Sequence, residues 1–137
     1  MGFRFVALLI PLALGFAVTA QEQGRAGKPA SAGIYTAVQA MRGETNFENN
    51  CSECHMSDLS GRAGPALKGD AFMKNWRGKT LAALVEKIKT TMPADWRTQL
   101  DDARTLDLVA FLLRGNGFTP GDEELTLEAA ARTTLAP

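Results

Sequence analysis

Apolar residues recur at helical spacing in three stretches of the chain, and none alternates convincingly with polar residues as a strand would. The first stretch covers residues 36–50, the second covers 80–90, and the third runs from residue 101 or 102 to about 114. Each opens on a Thr or Asp, whose side-chain oxygen can cap the first turn of a helix. The pattern therefore predicts an all-α fold of about three main helices joined by short turns.

The first helix carries the strongest local signals. Thr36 and Gln39 have the spacing of a capping box, and Tyr35 stands where a hydrophobic staple would sit. Residues at intervals of three and four form one narrow face, namely Ala40, Gly43, Phe47 and Cys51. Because a glycine inside a helix costs about 1 kcal/mol relative to alanine, Gly43 indicates close approach of another backbone, and a tolerated surface glycine is the alternative.

The other two helices have apolar faces and clear ends. Their apolar residues are Leu81, Leu84, Val85 and Ile88 in the second helix and Leu108, Phe111 and Leu112 in the third. Pro93 disfavours helical geometry at Met92, and Gly115-Asn116-Gly117 is typical of a helix end. The glycine-rich stretch 56–79 predicts a loop that wraps something, with one short turn at 71–76. A further short helix is predicted at 126–133.

The N-terminus has the form of a secretory signal peptide. Arg4 precedes an apolar run over residues 5–18, and small residues end at Ala20. The run is shorter than the roughly 20 residues that a membrane span needs. The predicted organisation is a signal peptide at 1–20, a flexible linker at 21–33, a domain at 34–117, and a tail at 118–137 that packs on the domain or trails from it. An uncleaved signal, which would tie the chain to the membrane, is the alternative.

Charge is balanced overall and uneven locally. The 15 basic and 15 acidic residues cancel, so nothing indicates a nucleic-acid partner. Residues 58–79 hold five basic and two acidic side chains, whereas 122–128 hold four acidic side chains and no base. One hypothesis is that the basic loop, including Lys68 and Lys74, docks an acidic partner. A merely solvated surface is the alternative.

The candidate chemistry lies in Cys51-Ser52-Glu53-Cys54-His55, which contains both cysteines and the only histidine of the chain. Two thiols on one helical turn followed by an imidazole fit covalent attachment of a c-type haem, with His55 reaching the iron. A zinc site is the first alternative, but it would need a carboxylate as its fourth ligand. A thioredoxin-like redox pair and a strained disulfide are the others.

These residues, with others, resemble a small monohaem cytochrome c of class I over residues 34–116. Such domains have a glycine and an aromatic residue eight and four positions before the first haem cysteine, where Gly43 and Phe47 stand. The apolar triplet of the last helix and the segment Gly64-Pro65-Ala66-Leu67 also match. The resemblance implies a small cytochrome c fold wrapped around one covalent haem c. It also implies that the Pro65 carbonyl bonds His55 and that Leu67 packs on the porphyrin.

The resemblance places the sixth iron ligand at Met92, on the loop before the last helix. The other methionines fit less well, because Met56 directly follows His55, whereas Met41 and Met73 are expected to be packing residues. The metal ligands are therefore predicted to be His55 and Met92. Trp76 and Thr90 are the remaining predicted haem contacts, through hydrogen bonds to a propionate, and for Trp76 a core aromatic role is the alternative.

The predicted function is that of an exported, soluble, monomeric one-electron carrier in the periplasm, without catalysis of its own. The chain also resembles cytochrome domains that accompany quinoprotein dehydrogenases. Its donor is accordingly expected to be such a dehydrogenase, and its acceptor a terminal oxidase or another cytochrome. The first alternative is a tightly bound cytochrome subunit of a periplasmic dehydrogenase or oxidase complex. The second is a haem sensor domain.

Overall fold

The computed structural model describes residues 1–2, 28–29, 33–94 and 99–136. Residues 3–20 of the predicted signal peptide and most of the predicted linker lie outside the described residues. In chain order the elements are β1 Lys28–Pro29, α1 Ala37–Asn50, α2 Ser52–His55, α3 Gly69–Trp76, α4 Leu81–Thr91, α5 Asp102–Gly115, α6 Leu127–Arg132 and β2 Thr133–Thr134. The all-α prediction is confirmed, with α1, α4 and α5 as the main helices. Within these described ranges, no helix has the length and apolar character to cross a membrane.

Among the described elements, α1 and α5 form the largest contact where they cross. A β-carbon at Gly43 would lie 1.9 Å from the carbonyl oxygen of Asp107, so only glycine allows the two backbones this close. Beside this point the rings of Phe47 and Phe111 pack with centroids 5.1 Å apart. Both rings are buried in the core. The prediction that Gly43 permits close approach of another backbone is confirmed.

The start of α1 differs in one respect from the predicted capping box. The Thr36 side chain accepts a hydrogen bond from the Gln39 N–H at 3.0 Å, as predicted. The Gln39 side chain does not turn back to complete the box. It pairs with the backbone of Leu125, donating to the carbonyl at 3.0 Å and accepting from the N–H at 2.7 Å. Because this site is buried, the amide is better satisfied by a fixed backbone partner than by its own helix end.

The other two main helices begin at the predicted caps. Thr80 accepts from the Ala83 N–H at 3.2 Å, and Asp101 accepts from the Arg104 N–H at 2.8 Å. Helix α4 ends at Thr91, one residue beyond the predicted end, and the extended backbone of Met92 follows. The short turn predicted at 71–76 lies within α3, and the predicted helix at 126–133 contains α6.

The C-terminal residues pack on the rest of the fold. Leu125, Ala130 and Leu135 are buried, and α6 lies against α4. The Leu135 backbone donates to Lys79 at 3.0 Å and accepts from Gly78 at 2.7 Å. Strands β1 and β2 form a parallel pair of two residues each, which the sequence did not predict because two residues are too short to show alternation.

Candidate haem attachment site

The two cysteines lie where α1 gives way to α2. The Cys51 N–H closes the last turn of α1 on the Phe47 carbonyl at 2.8 Å, and the His55 N–H bonds the Cys51 carbonyl at 2.9 Å. Both thiols are free, with Cys51 half-buried and Cys54 exposed. Burial, and to a lesser degree the neighbouring Cys54, raises the pKa of the Cys51 thiol to about 11. One helical turn therefore presents two thiols and an imidazole in sequence.

The orientation of the His55 ring is set by the backbone. His55 is 7% exposed, and its Nδ1 lies 2.8 Å from the carbonyl oxygen of Pro65. A carbonyl oxygen only accepts hydrogen bonds, so Nδ1 carries a proton, and in the neutral ring this leaves the lone pair on Nε2. A neutral imidazole held in this way is suited to bind a metal through Nε2.

The loop that supplies Pro65 folds tightly over the ring. A β-carbon at Gly64 would lie 2.5 Å from Cε1 of His55, and one at Gly61, where φ is +82°, would lie 2.5 Å from the Ala66 nitrogen. The Gly64 and Arg62 N–H groups both donate to the Cys54 carbonyl, at 2.9 and 3.0 Å. Glycine is therefore required where the loop meets both the imidazole and its own backbone.

Asn116, just after α5, ties this loop to the end of the helix. Its amide nitrogen donates to the carbonyls of Leu67 and Leu112 at 2.9 and 2.8 Å, and its oxygen accepts from the Gly69 N–H at 2.9 Å. The sequence marked Asn116 only as part of a helix end. Its role depends on partners 47 and 49 residues away, for which the local sequence carries no signal.

The remaining predicted contacts lie on other elements. Leu67 is half-buried against the core, and Met92 is half-buried at the end of α4, with its N–H bonded to the Ile88 carbonyl at 2.9 Å. Trp76 is half-buried on α3, 6.3 Å from the ring of Phe72. Thr90 is exposed, and its hydroxyl donates to the Glu86 carbonyl of its own helix at 2.7 Å. Among the described residues, hydrogen bonds join His55 to Pro65 but do not join it to Met92, Trp76 or Thr90.

The two methionines assigned to packing differ. Met73 is half-buried against the core, which confirms the prediction. Met41 is 59% exposed, so its assignment as a packing residue is wrong. Its position in α1 faces away from the α5 contact, because the buried residues Ala40, Gly43 and Phe47 occupy the opposite side of the helix.

Lys68 is engaged within the loop. Its ammonium lies 2.9 Å from the carboxylate of Asp58, which also accepts from the Ser60 N–H at 3.0 Å. Hydrogen bonds from Ser60 and then from Lys68 hold the pKa of the Asp58 carboxyl down at about 2. This ion pair joins the two ends of the segment between α2 and α3 at the surface of the protein.

The donor set fits a covalently attached haem. Two free thiols on one helical turn can form the two thioethers, and the adjacent imidazole keeps Nε2 available for iron. In the described parts of the chain, no group of three or more His, Cys, Asp or Glu side chains is arranged to hold a metal ion.

Comparisons with known proteins agree with this chemistry. Residues 38–112 match the family described as cytochrome C oxidase, cbb3-type, subunit III. Among solved structures, the chain is similar to the crystal structure of the sulfane dehydrogenase SoxCD from Paracoccus pantotrophus. That similarity has a TM-score of 0.55 and 24% identity, and it covers 91% of this chain and 68% of that chain. At this identity the likeness shows the fold alone. No curated protein sequence matches the chain significantly. Because the family match spans more than half of the sequence, the chain belongs to this family of class I cytochrome c domains, and its cofactor is haem c.

Proposed function

We propose that this chain is an exported one-electron carrier whose haem c is attached through Cys51 and Cys54 and ligated by His55 and Met92. The observation that carries the proposal is the hydrogen bond between His55 Nδ1 and the Pro65 carbonyl, at 2.8 Å. It leaves the lone pair of Nε2 available to iron, in the residue that directly follows the second cysteine. The family match supports electron transfer as the general function.

The chain's own residues determine what the cofactor does. Haem c supplies an iron that alternates between the ferric and ferrous states. His55 is held in one tautomer and one orientation by Pro65, and Gly64 leaves room for the ring. As a ligand, the soft thioether of Met92 would favour ferrous iron and so raise the reduction potential. If His55 and Met92 both hold the iron, it would have no open position for a substrate.

Export is part of the proposal. Residues 1–20 have the composition of a signal peptide with cleavage after Ala20, although they lie largely outside the described residues. In extracytoplasmic compartments, free cysteine pairs such as Cys51 and Cys54 tend to oxidise to a disulfide. Attachment to haem in such a compartment would keep both sulfur atoms from forming that disulfide. The proposed location is the periplasm.

The sixth ligand is tested by absorption spectroscopy of purified protein. The pyridine haemochrome spectrum should be that of haem c, and Met92→Ala should convert the low-spin ferric spectrum to one with an open or water-filled position. Met73→Ala is the matched control, because Met73 packs against the core and should leave the ligation intact. An unchanged spectrum in Met92→Ala would refute Met92 as a ligand.

The same variants distinguish a haem sensor. Two protein ligands should make the reduced wild-type protein slow to bind carbon monoxide, whereas Met92→Ala should bind it rapidly. Rapid binding by the wild type at neutral pH would favour the sensor function.

A second candidate is a bound subunit of a larger redox complex. The description of the matching family names an oxidase subunit, and the similar solved structure is that of a sulfane dehydrogenase. Gel filtration of native extract separates the two candidates. A free carrier elutes near its own mass, whereas a subunit elutes with its complex and with the associated dehydrogenase or oxidase activity.

A further inference from the structure

The exposed side of α3 and the turn after it carries a concentration of positive charge. Lys74, Arg77 and Lys79 are exposed within six residues. The first two line an open cavity of about 420 Å³ together with Asp70 and Met73. We call Lys74, Arg77, Lys79 and this cavity the α3 face.

These cations differ from most other cations of the described residues, which form ion pairs. Lys68, Lys89 and Arg114 each pair with a carboxylate, of Asp58, Asp102 and Glu44 respectively. Among the described residues, Lys74 and Arg77 form no ion pair. Lys79 lies over the ring of Trp76, 5.1 Å from its centroid, which positions the ammonium without neutralising it. The charge of the α3 face is therefore available to a ligand.

The structure narrows the docking hypothesis that the sequence suggested. The sequence predicts that the whole basic segment 58–79, including Lys68 and Lys74, docks an acidic partner. Lys68 is tied to Asp58, so its charge is compensated within the loop. Arg62 forms no ion pair among the described residues, but its guanidinium is held by the Glu53 carbonyl. The segment's three other cations without an ion pair lie together on the α3 face.

Helix α3 packs against the core and is fixed at its first residue. Phe72 is buried, and Met73 and Trp76 pack against the core on the inner side of the helix. Helix α3 begins four residues after Pro65, and its first N–H is fixed by Asn116 at 2.9 Å. The helix that carries the α3 face therefore begins directly at the loop that orients His55.

We propose that the α3 face docks an acidic segment of the redox partner, a proposal that rests on the electron-carrier function above. Three cations against the single acid Asp70 favour a carboxylate-rich surface, and the open cavity above Met73 has room for a side chain of the partner. Attraction between exposed charges of this kind speeds the association of two proteins, and it weakens as the salt concentration rises. Both properties suit a short-lived complex.

The test uses the haem-loaded, reduced protein, with poly-L-glutamate as the acidic probe. Amide chemical shifts are followed by NMR at about 10 mM ionic strength, where screening extends to roughly 30 Å. The probe should shift amides within residues 69–79. The double variant Lys74→Glu with Arg77→Glu should weaken the apparent Kd by about tenfold or more, because two attractive contacts become repulsive. Lys87→Glu is the matched control, since Lys87 is an exposed cation on α4, and it should change the Kd by less than about twofold.

Unchanged affinity in the double variant, or shifts centred outside α3, would overturn the docking proposal. A normal haem spectrum and reversible reduction in the same samples would leave the electron-carrier function standing, so the two failures are distinguishable. Sedimentation of the protein alone tests a second copy as the occupant, through the exposed acids Asp122 and Glu123. The protein could self-associate in a way that is lost both in Lys74→Glu with Arg77→Glu and in Asp122→Lys with Glu123→Lys. That result would show that a second copy of the chain, and not a partner protein, occupies the α3 face.

Discussion

Gly43 of α1 lies against the backbone of Asp107 of α5 so closely that a β-carbon at position 43 would come within 1.9 Å of the Asp107 carbonyl oxygen. The same atom would lie 2.9 Å from the β-carbon of Phe111. Helix α1 leads into Cys51, and α5 ends at the asparagine that holds the loop around His55. The crossing therefore positions the two ends of the haem attachment site.

Gly43→Ala should destabilise the protein. Alanine favours a helix by about 1 kcal/mol over glycine, but the added methyl must separate two packed backbones. We expect the overpacking to exceed that gain and lower the free energy of unfolding by about 2 kcal/mol. Urea unfolding of the haem-loaded protein measures the change. Thr45→Ala, at an exposed position of the same helix, should stay within about 0.5 kcal/mol of wild type. A stabilised Gly43→Ala would contradict the packing described.

Much of this arrangement could be predicted from sequence, because its causes are local. Helical period and capping residues placed α1, α4 and α5, and a glycine inside an amphipathic helix indicated the crossing. The partners of Gln39 and Asn116 could not be predicted in this way. Gln39 binds Leu125, 86 residues away, and Asn116 binds Leu67, 49 residues away. Such pairs depend on how finished elements pack, so the local pattern suggested a capping box for one and a simple helix end for the other.

Asn116→Ala should loosen the loop around the site. The variant loses the donor to the Leu67 carbonyl and the acceptor for the Gly69 N–H. We expect a cost of about 1–3 kcal/mol, because polar groups lose their partners in a half-buried place. Amide hydrogen exchange at Gly69 should accelerate by the factor that corresponds to this loss of free energy. Asn75→Ala serves as the control, since Asn75 is exposed and its side chain bonds the Ala71 carbonyl of its own helix. Equal exchange at Gly69 in both variants would show that Asn116 does not hold the loop.

Arg42 forms a forked ion pair with Asp107, with nitrogen–oxygen distances of 3.0 and 2.8 Å, and also contacts Glu124 at 2.8 Å. The Asp107 side chain is 10% exposed, whereas that of Glu124 is 51% exposed. Arg42→Ala leaves a largely buried carboxylate unpaired, and we expect a loss of about 3 kcal/mol in unfolding free energy. Glu124→Gln should cost less than about 1 kcal/mol. Similar losses in the two variants would contradict this ranking.

Acid should weaken the pair between Asp58 and Lys68 in a defined range. The folded pKa of Asp58, about 2, lies below the value of about 4 expected in the unfolded chain. Ionised Asp58 therefore stabilises the fold above pH 4, and this contribution is lost as the pH falls from about 4 to about 2. NMR titration of the Asp58 carboxyl carbon should give a midpoint near 2 that rises in Lys68→Ala. A midpoint near 4 in the wild type would exclude the pairing.

The most direct test of covalent haem attachment is the intact mass of protein purified from the periplasmic fraction, after denaturation in acidic organic solvent. We expect the mass of residues 21–137 plus one haem, with the haem retained in the wild type and absent in the double variant Cys51→Ala with Cys54→Ala. The mass of the bare polypeptide in the wild type, with the chromophore extracted into the solvent, would contradict the account.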